Sequence, residues 1–212
     1  VFRDNLMSGL FSTMHEGGHA IYEQGISRLL KRTLLSDGAS LAIHESQSRM
    51  WENIVGRSRD FWTCFYPKLV EKFSDGLAGV SMETFYRAIN KVKPSLIRVE
   101  ADEATYNLHI MLRFELEKGL MEERIAAKDL PELWRVKMRE YLGVVPEKDS
   151  DGVLQDVHWS CGLFGYFPTY ALGNMVSAQL WEKINADIPG LSGQIRNGEF
   201  KYLLNWLREK LH

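Results

Sequence analysis

The stretch FSTMHEGGHAIYEQG (Phe11–Gly25) decides how this chain is read. It reads as a helix, and on a helix His15 and His19, four residues apart, project their imidazoles from one face and can reach the same ion. Glu16 follows the first histidine directly, and in an H-E-x-x-H arrangement that carboxylate is a base for water rather than a ligand. Gly17 and Gly18 then need an explanation, because glycine in a helix interior costs about 1 kcal/mol relative to alanine. A side chain at either place would hold off whatever lies along that turn. Both glycines are therefore expected to mark close approach of another backbone or of substrate.

Outward from this helix, apolar residues continue at three- and four-residue spacing with few alternating segments, which predicts an all-α, mostly helical domain with at most a few short strands. The first helix covers roughly residues 4 to 27. After LLSDGAS (Leu34–Ser40) a second starts near His44 and runs towards Pro67, where proline should kink or end it. Ser81 is placed to cap METFYRAINKV (Met82–Val92), which stops before Pro94. SLIRVEAD (Ser95–Asp102) is rich in extended-friendly residues and reads as a short strand or extended segment. It leads into a long helix from about Asp102 to Arg124, whose apolar stripe of Leu108, Met111 and Leu112 gives way to charge at Glu115. Asp129 caps a further helix with Pro131 in its first turn and an end at Gly143. Beyond PEKDSDG (Pro146–Gly152) comes the aromatic run VHWSCGLFGYFPTY (Val157–Tyr170), and a last pair of helices closes the chain.

The 212 residues and 45% hydrophobic content suit one sizeable core, so residues 1–212 are read as a single helical catalytic region. The net charge of -2 arises from 26 basic and 28 acidic residues mixed along the chain, which argues against nucleic acid or an anionic membrane as partner. Cys64 and Cys161 form no C-x-x-C pair and fit free thiols in a reducing compartment, so a cytoplasmic location is expected. No apolar run approaches the roughly 20 residues that span a bilayer. The chain opens on Val1 and reaches its metal motif almost at once, as a piece of a longer protein would.

A zinc hydrolase needs a third protein ligand and leaves a fourth position for water. His44, Glu45, Asp102 and His158 lie downstream. Glu45 is the strongest of these, because a carboxylate at the start of a second helix can be packed against the first.

Four segments, HEGGHAIYEQG (His15–Gly25), HESQ (His44–Gln47), IRVEAD (Ile97–Asp102) and GVLQDVHW (Gly152–Trp159), together resemble the motifs of the M32 metallocarboxypeptidases in that family's order. The resemblance implies a helical zincin-like fold, a divalent metal (zinc, or another such as cobalt), removal of single C-terminal amino acids from peptides, and a homodimer. Carried over residue by residue, it implies that His15, His19 and Glu45 bind metal and that Glu16 is the general base. It further implies that Arg98 binds the substrate's C-terminal carboxylate and that His158 and Tyr170 stabilise the tetrahedral intermediate. Arg98 has competing partners in Glu100 and Asp102, while Gln155 and Asp156 are candidates to orient His158 or a ligand. Two family motifs that precede the metal helix, H-P-F and D-x-R-x-T, are absent, so the chain is expected to be the C-terminal, metal-binding portion of such an enzyme. An oligopeptidase cleaving internally and a non-catalytic, metal-stabilised helical module are the alternatives.

Overall fold

The computed structural model describes residues 5–212. Among them are ten α-helices and no β-strand: α1 Leu6–Gly25, α2 Leu41–Arg49, α3 Arg59–Lys72, α4 Ser74–Leu77, α5 Met82–Ile89, α6 Glu103–Met121, α7 Leu130–Leu142, α8 Pro168–Asp187, α9 Leu191–Arg196 and α10 Lys201–Lys210. The all-α expectation holds. The described residues pack as two compact units, one combining the chain up to Asn90 with Leu172–His212, the other formed by Lys91–Ala171. No helix among the described residues is long and apolar enough to cross a membrane.

In the first unit, Ser40 caps α2 by accepting a hydrogen bond from the Ile43 N–H, and α2 continues into a π-helical turn over Met50–Val55. There the Gly56 N–H donates to the Trp51 carbonyl, five residues back, at 3.0 Å. The single helix expected from His44 to Pro67 is thus broken, and Ser58 caps a new one, α3. Pro67 lies inside α3 instead of ending it. Pro67 and Thr63, whose carbonyl loses its helical partner, are both exposed residues. Trp62 and Tyr66 meanwhile hold α3 in a core with Phe11, Phe85 and Ile89. A second core joins Met50, Trp51 and Val55 of the π turn to Ile184, Leu191, Ile195, Leu203 and Leu207. Three helices, not the expected pair, supply that C-terminal contribution, because Gly190 with φ +84° breaks the chain between α8 and α9.

The two glycines of the metal helix separate. A Cβ on Gly18 would stand 2.6 Å from the Ser48 Cα and 2.8 Å from the Gln47 carbonyl oxygen, so Gly18 marks close backbone approach of α2. Nothing lies within 4 Å of a Cβ on Gly17. Alanine at the two positions should therefore act with opposite signs. Gly17→Ala is expected to gain up to about 1 kcal/mol of helix propensity. Gly18→Ala is expected to lose stability despite the same gain, since overpacking costs about 1–3 kcal/mol and here the obstacle is backbone. Urea midpoints of the two variants check this, and shifts of equal sign would contradict it.

In the second unit, α6 and α7 enclose Leu112, Leu116, Leu130, Trp134, Met138 and Leu142. Asp102 is the N-cap of α6, its carboxylate accepting from the N–H groups of Ala104 and Thr105. SLIRVEAD is not a strand: extended residues at Ile97 and Ala101 flank a 3₁₀ turn, Arg98–Glu100. The Arg98 N–H finds its acceptor in the Gln155 side chain, at 2.8 Å, rather than in a neighbouring strand. Of the stripe expected along α6, Leu112 is fully buried and Leu108 packs against the same core, but Met111 is not part of it. Met111 is 49% exposed, and the buried face carries Thr105, His109, Arg113 and Glu117 among its apolar residues. Asp129 stands at the N-cap position of α7 without a side-chain capping bond, and Gly143, at φ +70°, ends that helix as expected.

Candidate functional site

In the first unit, α1 presents His15 and His19 to Glu45 of α2. The Nε2 atoms of both histidines face the same carboxylate oxygen, Glu45 Oε2, at 3.7 Å and 3.5 Å respectively. One donor atom from each residue lies within 4.8 Å of the other two. Two closures set this arrangement. Gly18 lets α2 reach α1, and a Cβ on Gly173 of α8 would fall 2.8 Å from the Glu45 Cγ, so a third helix backs the carboxylate.

The remaining polar atoms of the trio are engaged from behind. His15 Nδ1 is 2.9 Å from Glu52 Oε2, and His19 Nδ1 is 2.5 Å from His44 Nδ1. His44 Nε2 in turn lies 2.7 Å from Glu23 Oε1. Arg49 donates to Glu45 Oε1 at 3.1 Å and to Glu52 Oε2 at 3.0 Å, and the Ser48 hydroxyl lies 3.2 Å from Glu45 Oε2. Burial pushes both carboxyls up. It is outweighed at Glu45 by the neighbouring His19 and the Arg49 charge, and at Glu52 by the His15 hydrogen bond and the same arginine, so both stay below the ordinary carboxylate range. Two convergent imidazoles and one carboxylate are the donor set of a divalent transition-metal site with an open position. The residues fit the ion that the motif implies. Glu16, on the same helix, is exposed and stands outside these hydrogen bonds.

Glu52, Arg49 and Glu23 escape a search for ligands, and His44 stands here as a partner of His19. A signal exists, since Glu45, Arg49 and Glu52 follow an i, i+4, i+7 spacing that gathers them on one helix face.

The second unit holds the other residues singled out from the sequence. Arg98 is 5% exposed and pairs with neither Glu100 nor Asp102. Its Nε and Nη2 donate to Asp156 Oδ1 at 3.0 Å and 2.7 Å, and its Nη1 donates to the Tyr106 hydroxyl at 2.7 Å. Arg113, fully buried, takes the other oxygen of Asp156, its Nε donating at 2.7 Å. His158 Nε2 lies 2.9 Å from the Tyr170 hydroxyl, and its Nδ1 is 3.8 Å from Asp156 Oδ1. Burial, helped by the Arg98 charge, lowers the His158 pKa. Arg98, His158, Tyr170, Gln155 and Asp156 are thus neighbours within the second unit, and His15, Glu16, His19 and Glu45 within the first.

Comparison with known proteins adds the lineage. The sequence profile of the family described as "Carboxypeptidase Taq (M32) metallopeptidase" matches residues 1–212. Thermostable carboxypeptidase 1 of Thermus thermophilus is 51% identical over 211 residues, covering 100% of this chain and 41% of the relative. Carboxypeptidase 1 of Bacillus subtilis is 51% identical over 205 residues, covering 97% and 41%. The crystal structure of an M32 carboxypeptidase from Deinococcus radiodurans R1 matches with a TM-score of 0.96 at 45% identity, over 100% of this chain and 43% of that one. The chain thus spans about two fifths of the length of the curated relatives it matches. A profile match across every residue and relatives at half identity agree with the four sequence motifs, and the chain belongs to the carboxypeptidase Taq (M32) family of metallopeptidases.

Proposed function

We propose that the protein is the metal-binding part of a metallocarboxypeptidase that removes single C-terminal amino acids from peptides. The observation that carries this reading is the convergence of His15 Nε2 and His19 Nε2 of α1 on Glu45 Oε2 of α2, beside a glutamate of H-E-x-x-H type. His15, His19 and Glu45 would hold the ion; zinc suits two imidazoles and a carboxylate, and cobalt(II) suits the same donors. A divalent cation bound there supplies Lewis-acid polarisation of the scissile carbonyl and makes water a stronger acid.

Glu16 takes the proton from the attacking water at its carboxylate and returns it to the leaving amine nitrogen. Family membership supports a peptidase, and the roles given to the second unit rest on its motifs. Arg98 has five N–H groups, three of which are engaged by Asp156 and Tyr106. Its guanidinium is the group proposed to grip the substrate's C-terminal carboxylate. His158 and Tyr170, already hydrogen-bonded to each other, are the donors proposed for the developing oxyanion.

The test is a pair of peptides that differ only at the C-terminus, one free and one amidated, assayed with the complete enzyme. Loss of a charge-assisted contact of about 1.5–3 kcal/mol should lower kcat/KM on the amidated peptide at least about tenfold. Equal cleavage of both would favour an enzyme that cuts internally.

A further inference from the structure

Behind the three metal-facing atoms, the hydrogen-bond partners are not interchangeable. We infer that Glu52 and His44 are positioning residues that fix the tautomers of His15 and His19, with Arg49 choosing which oxygen of Glu45 is presented. The inference rests on the metal site proposed above.

A histidine binds a metal through a nitrogen that carries no proton, so its other nitrogen must carry one and needs an acceptor. A carboxylate at neutral pH only accepts. Glu52 Oε2, 2.9 Å from His15 Nδ1, therefore places the ring proton on Nδ1 and leaves Nε2 bare, and Nε2 is the atom that faces Glu45.

His19 reaches the same state by a longer route. Glu23 Oε1 accepts the Nε2–H of His44 at 2.7 Å, so neutral His44 has a bare Nδ1. That nitrogen stands 2.5 Å from His19 Nδ1, and the single proton between them belongs to His19. His19 Nε2, 3.5 Å from Glu45 Oε2, is then bare as well. The opposite placement, with the proton on His44 Nδ1, would put a hydrogen on His19 Nε2 and aim an N–H at the metal position.

Arg49 joins the two carboxylates. It donates to Glu45 Oε1 and to Glu52 Oε2, so Glu45 Oε2, met from behind only by the Ser48 hydroxyl, is the oxygen that faces the imidazoles. The π turn over Met50–Val55 carries Glu52, so this widened turn supplies the acceptor for His15.

The tautomers can be read without metal. In the ¹⁵N-labelled, metal-free full chain at neutral pH, long-range ¹H–¹⁵N spectra should show His15 and His19 both protonated on Nδ1. Zinc affinity, measured by competition with a chromophoric chelator, should fall roughly 10- to 100-fold in Glu52→Ala and in His44→Phe, the range typical for such outer partners. Circular dichroism identifies the variants that fold. An Nε2–H tautomer at either histidine overturns the inference, as does zinc affinity within about threefold of wild type in the folded variants. A wild-type chain that takes up no zinc while showing the expected tautomers would remove the metal reading instead.

Discussion

Glu16→Gln is expected to leave the metal content of the protein unchanged and to lower kcat/KM on a peptide substrate by roughly 10²- to 10⁴-fold, the contribution of a positioned general base. The separation of effects follows from where Glu16 stands. It adjoins His15 on α1 but is exposed and lies outside the network that engages His15, His19, Glu45, Glu52 and Arg49. Glutamine has the same length and shape, keeps α1 helical and removes only the ability to take a proton. The double change His15→Ala with His19→Ala acts at the other level, stripping two of three donors, and should abolish stoichiometric metal binding after dialysis against a weak chelator. Metal analysis and kinetics on the same preparations distinguish the roles. Full activity in Glu16→Gln would end its assignment as the base, and loss of metal from that variant would make it a ligand.

The helix that carries His15 and His19 is legible because spacing alone does the work: four residues bring two imidazoles to one face, and a glycine without a Cβ is visible wherever it sits. What the spacing could not tell was which glycine mattered, since that depends on the backbone of α2 lying against Gly18 and not against Gly17. The break between α2 and α3 was hidden for a related reason. A π turn is a matter of hydrogen-bond register, and MWENIV has no proline or glycine to announce it. Pro67 misled in the other direction, because a helix tolerates proline where the residue whose carbonyl is freed is exposed and the flanking aromatic residues are well buried. In α6 the inward-pointing apolar residues account for Leu108 and Leu112 but not for the polar members of the buried face. His109, Arg113 and Glu117 recur every four residues, as clear a stripe as any apolar one, but their burial depends on partners more than forty residues further on for two of them, Asp156 for Arg113 and Trp159 for Glu117. Hydrogen bonds and ion pairs across such distances leave no periodic trace.

Those partners set the second large effect. Asp156→Ala is expected to cost about 3–5 kcal/mol, the penalty for leaving a buried charge without its counter-ion. Asp156 divides itself between two cations, Oδ1 accepting from Arg98 and Oδ2 from Arg113. Arg113 is fully buried and Arg98 nearly so, and neither has another carboxylate to turn to among their described ion pairs. Some relief comes from elsewhere. Arg113 donates to the His109 carbonyl and lies 4.6 Å over the Trp134 ring, and Arg98 lies 4.7 Å over Tyr170. These contacts suffice to orient a guanidinium but not to neutralise two. Proton loss offers little escape either. Burial lowers the Arg113 pKa only to about 10, against the pull of Asp156, and at neutral pH the side chain stays charged. Removing one cation along with the carboxylate should therefore recover part of the loss, so that Arg113→Met combined with Asp156→Ala is less destabilised than the sum of the two single changes. Urea unfolding gives the totals, and amide exchange across Lys91–Ala171 shows whether the loss is local to the unit that holds the pair. A cost below about 1 kcal/mol for Asp156→Ala would mean that water or another side chain reaches the guanidinium groups, and that Asp156 is not what keeps Arg98 in place.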